Sequence, residues 1–195
     1  MQEMAPDKRR EFDNALMAGV VNGNKDAMNQ IYKNYVPALN GFVRLFLADP
    51  NDVADIIHDT MLDVWRKADR FEGRSSLKTW IFSIAKNKSI DRNRKHSRID
   101  YTDENADIED ETLIADDVLA VSQQANIVRE AVAQLKPDHR RAIHLSFFED
   151  LTYKEIAEIE GCPVGTIKTR ILYAKRSLYH ILPVSYTHLT LPTKA

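Results

Sequence analysis

With 195 residues, 44% of them hydrophobic, the chain can bury a core and hold one or two domains, and its net charge of −2 excludes a uniformly basic nucleic-acid binder. A single cysteine, Cys162, excludes an internal disulfide. No run approaches the ~20 apolar residues of a membrane span, so a cytoplasmic protein without membrane insertion is expected.

Helical periodicity predicts helices over 8–22, 25–35, 36–47, 52–69 and 76–95, with turn signals at Gly23-Asn24, Asp49-Pro50-Asn51 and Glu72-Gly73-Arg74-Ser75 between them. No alternating strand pattern of useful length interrupts this series, and a first all-α domain over 8–96 is the simplest solution. On the fourth helix Val53, Ile57, Thr60, Met61, Val64 and Ala68 form an inward stripe, while Asp55, His58, Asp59, Asp63 and Arg66 point largely outward. That acidic outer face is either solvated surface or a dock for a basic partner.

The fifth helix follows Phe71-Glu72-Gly73-Arg74-Ser75 and takes Ser75 or Ser76 as its N-cap. Leu77, Trp80, Ile81, Ile84 and Ala85 make its buried side. Around Trp80 stand Phe71, Arg74, Ser75, Ser76, Lys78 and Thr79, a mixture of rings, cations and hydroxyls suited to single-stranded nucleic acid: cations track the backbone while rings and pockets receive unstacked bases. Lys86, Lys88, Arg92, Arg94 and Lys95 continue the positive track along the same helix.

Charge then reverses. From Asp100 to Asp117 the acids are 100, 103, 104, 107, 109, 110, 111, 116 and 117, with no Lys or Arg among them. With few large apolar residues and no sustained period, 97–122 reads as an acidic linker that cannot fold alone. Extended, about 25 residues reach on the order of 80 Å, so the flanking domains can address well-separated sites.

Beyond the linker, a domain over 123–182 ends in a helix-turn-helix signal. Thr152 followed by Glu155 is a capping box; Ile156, Ala157 and Ile159 give the first helix an apolar side; Gly161 stands where a left-handed C-cap residue is wanted, with Pro163 just beyond. A second helix over 164–182 places Ile167, Ile171, Ala174 and Leu178 in its buried stripe and holds no acid. Its remaining face offers Thr166, Lys168, Thr169, Arg170, Tyr173, Lys175 and Arg176 to a phosphate-lined major groove. Glu155, Glu158 and Glu160 are confined to the first helix, a sorting of charge that favours duplex DNA over a solvated helical hairpin. Residues 183–195, with three Thr, two Pro and no helical period, read as a non-native tail.

Catalysis finds no support. The six His and one Cys form no H-E-x-x-H, C-x-x-C or H-x-x-H spacing, and neither a P-loop, a G-x-G-x-x-G nor a G-x-S-x-G is present. His139 and His144 are expected as surface or packing residues, and neither cofactor nor metal is expected.

Three segments together resemble a known family, the bacterial sigma-70 type RNA polymerase sigma factors, in their small two-domain extracytoplasmic-function (ECF) group. Asp55-Ile56-Ile57-His58-Asp59-Thr60-Met61 resembles the segment that docks on the β′ coiled coil of the polymerase, which implies Asp55, His58 and Asp59 as docking residues. Phe71 to Ile81, with Ile84-Ala85-Lys86-Asn87 and Asp91-Arg92, resembles the region that melts and reads the −10 promoter element, and adds Asn87 to the candidates there. Leu135-Lys136-Pro137 through Arg170 resembles the domain that reads the −35 element. The resemblance implies core RNA polymerase (β′ and β subunits), promoter DNA and a cognate anti-sigma factor as partners. His58 stands where the family usually has glutamine, and Tyr173 and Lys175 where arginines are common, which touches individual contacts and not the class. The alternative is a free-standing helix-turn-helix regulator that never joins polymerase.

Overall fold

The computed structural model describes residues 6–100 and 123–182, and all regular structure among them is helical. α1 (Pro6–Val21), α2 (Lys25–Val43), α3 (Pro50–Arg66) and α4 (Leu77–Asp100) form a first bundle, with a 3-10 turn at Ala68–Arg70 before α4. α5 (Gln123–Ala133), α6 (Pro137–Phe147), α7 (Tyr153–Glu160) and α8 (Val164–Ile181) form a second. The acidic stretch 101–122 and the tail 183–195 lie outside the described residues.

Local chemistry sets most of the boundaries. Asn24 starts α2 by accepting the backbone N–H groups of Asp26 and Ala27, and Asp49 starts α3 by accepting that of Asn51 with Pro50 at the first helical position. Two expectations are corrected. The helices placed at 25–35 and 36–47 are one helix, α2, running through Pro37. Proline removes a helical hydrogen bond and crowds the preceding turn. Here the burial of Ile31, Tyr35, Leu39, Phe42 and Val43 along one side outweighs that penalty, each large side chain contributing about 1.5–3 kcal/mol when fully covered. Secondly, α4 continues to Asp100, into the start of the expected linker.

The inward stripe of α3 is buried as expected, joined by Ile56. Asp63, expected to point outward, is instead held between Lys67 and Lys88, each at 3.0 Å. Burial pushes its carboxyl up, but the two ammonium groups outweigh burial and bring it below the ordinary carboxylate value. On α4, Leu77, Ile81 and Ala85 are buried, whereas Trp80 and Ile84 are half-buried. Phe82, outside the expected stripe, is fully covered and meets Phe42 at a ring separation of 5.0 Å. Its burial follows from the position of α4: α3 and α2 pack on it within the first bundle, and α7 packs on it from the second.

Candidate nucleic-acid interface

The helix-turn-helix is built by the chemistry read from its sequence. Thr152 Oγ1 accepts the Glu155 N–H, and the Glu155 carboxylate accepts the Thr152 N–H at 2.9 Å, closing the capping box of α7. Gly161 ends α7 at φ 66°, in the left-handed region where a side chain would be strained. α8 buries Ile167, Ile171, Ala174 and Leu178.

Of the side chains expected on the groove-facing side of α8, Lys168, Thr169, Tyr173 and Arg176 are exposed, and Thr166, Arg170 and Lys175 half-buried. Tyr173 stacks on His139 with Arg176 over its ring, and Lys175 lies over the Phe147 ring at 5.1 Å. Arg170 turns inward. It donates to Asp138 at 2.6 Å and to Glu160 at 3.3 Å, joining Arg141 in a network that ties α6, α7 and α8 together. Burial would depress the Arg141 guanidinium, but the Glu160 and Asp138 carboxylates raise it.

In the first bundle Phe71 packs on Trp80 at 5.4 Å between centroids, Gly73 takes φ 64°, and Arg74 extends into solvent beside Glu72. Ser76 caps α4 by accepting the Thr79 N–H. Four of the expected strand-binding residues, Ser76, Lys78, Thr79 and Lys86, face the second bundle. Ser76 and Thr79 donate to the Glu155 carboxylate at 2.9 and 3.3 Å. Lys78 pairs with Glu149 Oε2 at 2.6 Å and donates to the Glu149 carbonyl. Lys86, nearly buried, donates to the carbonyls of Ile159 and Glu160 at the C-terminal end of α7, where unsatisfied acceptors and the helix dipole favour a cation. Burial lowers its pKa.

Further along α4 the positive track is largely neutralised within the bundle. Lys88 pairs with Asp63, Arg92 with Asp52 and Asp55, and Arg94 with Asp91, while Asn87 and Lys95 are exposed. Asp55, His58 and Asp59 all lie on the exposed side of α3, as docking requires.

Glu149 and the second role of Glu155 escape a reading of spacing, since their partners lie more than seventy positions away. Burial pushes both carboxyls up. His144 and Lys78 around Glu149, and Thr152, Ser76 and Thr79 around Glu155, outweigh burial and lower both below the ordinary glutamate value. The contact is completed by His144, which stacks on Phe42 of α2, and by Arg141 over the ring of Phe46. Among the described residues no helix is long and apolar enough to cross a membrane.

Residues 31–99 match the family described as Sigma-70 region 2, and 125–178 that described as Sigma-70, region 4. The chain is 32% identical over 171 residues to an ECF RNA polymerase sigma factor RpoE of Cereibacter sphaeroides, covering 86% of this chain and 94% of the relative. It is 29% identical to the RNA polymerase sigma-H factor of Pseudomonas aeruginosa, over 87% and 93% of the two chains. Among solved structures it resembles the sigma factor RpoE of Bartonella quintana in complex with the anti-sigma factor NepR, with a TM-score of 0.66, 29% identity, and coverage of 80% of this chain and 96% of that one.

Proposed function

The chain belongs to the sigma-70 family, as an ECF sigma factor, and from that premise we propose how its two helical units divide the work of initiation. It directs RNA polymerase to promoters and is not an enzyme. Membership removes the alternative of a regulator that never joins polymerase.

The first unit, 8–96, docks on the β′ subunit through Asp55, His58 and Asp59 and captures the melted −10 strand. Arg74, Lys78, Lys86 and Arg92 meet its phosphates, and Phe71, Ser75, Ser76, Thr79, Trp80 and Asn87 meet its bases. The second unit, 123–182, reads the −35 duplex: Lys168, Arg170, Lys175 and Arg176 take phosphate or base-edge contacts, with Thr166, Thr169 and Tyr173 as shorter-range partners. The observation that carries this division is that one chain offers an acid-free α8 in a capped helix-turn-helix and, separately, a Gly73-centred loop exposing Arg74 beside a Phe71–Trp80 pair.

Ser76, Lys78, Thr79 and Lys86 are engaged by Glu155, Glu149 and the end of α7, so they reach DNA only after the two units part. The arrangement is therefore the resting form. A cognate anti-sigma factor is its natural keeper, a reading supported by the similar RpoE of Bartonella quintana, whose structure is a complex with one.

The test is reconstitution. The purified chain is mixed with bacterial core polymerase and assayed for co-elution and for promoter-dependent transcripts on upstream genomic fragments. Arg74→Ala with Lys78→Ala should preserve co-elution and lose permanganate-reactive open complexes. Normal footprints from that double variant would remove strand capture from this loop.

A further inference from the structure

The loop between Phe71 and Leu77 is held from outside by α1, through two side chains of one helical face that meet Gly73. Arg10 donates from its guanidinium to the carbonyl of Gly73. Asn14, one turn further on, sets its side chain against the same glycine, where a β-carbon would come within 3.2 Å of Oδ1. Asp13 stands between them, only 3% exposed. Its Oδ1 accepts the Tyr35 hydroxyl at 2.9 Å, which anchors α1 on α2. Positions i, i+3 and i+4 share a helix face, so one side of α1 delivers all three contacts.

Ser76 caps α4 from within the loop by taking the Thr79 N–H, so the loop is built from inside at its end and steadied from outside at its middle. A buried carboxyl is expensive unless hydrogen-bonded, which makes the Tyr35 bond a condition of the presence of Asp13 and ties α1 in place. The loop is thus fixed by α1 at its middle, Gly73, while the neighbouring Arg74 remains in solvent with its side chain 84% exposed. The match to region 2 of the family begins at residue 31, after α1 has ended.

We propose that Arg10 and Asn14, carried on a helix that Asp13 anchors, are positioning residues that set the shape of the loop 71–76, and through it the choice of base captured from the melted strand. The proposal rests on the reading of that loop as the capture site.

The test uses holoenzyme reconstituted with the full chain and a promoter carrying 2-aminopurine in the non-template −10 strand. Arg10→Ala with Asn14→Ala alters two exposed side chains and spares the core. Loss of two loop contacts should slow open-complex formation about tenfold, leave co-elution with core polymerase unchanged, and flatten the preference among the four bases at the captured position. Asp13→Asn keeps an acceptor and should keep the preference, whereas Asp13→Leu should lose it. A uniform slowing with the base preference intact would reduce α1 to a stability element and overturn the proposal, as would unchanged kinetics in the double variant while Arg74→Ala is defective. If Arg74→Ala also opens promoters normally, the capture reading itself has failed, and the positioning role falls with it.

Discussion

Lys168 and Arg170 stand two positions apart on α8, carry the same charge, and have different surroundings. Lys168 is exposed; Arg170 is bound to Asp138 and Glu160, the latter side chain 2% exposed. Arg170→Ala should therefore lower the stability of the second unit by about 1.5–3 kcal/mol, the range for hydrogen bonds to charged groups, read as a fall in Tm. Lys168→Ala should change stability by less than about 0.5 kcal/mol while weakening binding to a −35 duplex and reducing its salt slope by about one. An Arg170→Ala variant with an unchanged Tm and lost DNA binding would return Arg170 to the groove. Residue type and spacing identify a cation, but its partner decides what it does. Asp138 is 32 positions from Arg170, and Asp52 is 40 from Arg92, so neither pairing leaves a trace in local sequence.

Elements whose ends are written in side chains are legible; those decided by tertiary packing are not. α7 is the clear case, since Thr152, Glu155 and Gly161 specify its start and stop without outside help. Removing the cap with Thr152→Ala should cost about 1 kcal/mol and lower the Tm of the second unit. The passage of α2 through Pro37 could not be read the same way, because it depends on burial against neighbouring helices. Phe82 on α4 is hidden for a related reason: a helix covered from two bundles has no single apolar stripe to betray it. α3 presents the reverse situation, its stripe readable and its outer face ambiguous from sequence alone. With Asp55, His58 and Asp59 exposed there, Asp55→Lys plus Asp59→Lys should prevent co-elution with core polymerase without unfolding the first unit. Unchanged co-elution would leave those carboxylates as plain solvated surface.

At the scale of the whole molecule, a handful of polar bonds decides whether the strand-binding face is covered. Glu149→Ala leaves Lys78, 16% exposed at its side chain, without its carboxylate partner in the closed form and leaves no such defect once the units part. It should favour the open form by about 1–3 kcal/mol, seen as a larger radius in small-angle scattering and tighter binding of a −10 single strand by the free chain. An unchanged radius and unchanged strand affinity would show that this pair does not hold the units together. The sign with pH follows from Glu149: burial pushes its carboxyl up, but His144 and, from the other unit, Lys78 outweigh burial and lower it in the closed form. Its contribution is complete above the ordinary glutamate range and is lost as pH falls through the depressed value, so acid opens the pair. Two helical units on either side of an acidic stretch could be read from composition; their mutual packing could not, because its donors and acceptors are separated by most of the chain. Glu155 adds one further consequence. Its carboxylate is already immobilised by Thr152, so at this contact closing orders little beyond the Ser76 and Thr79 hydroxyl rotors. Both faces also belong to one polypeptide, which makes their meeting intramolecular. Closure is then a unimolecular event that dilution does not reverse, and the covered fraction is governed by how much polymerase is available to compete rather than by how much of this protein the cell makes.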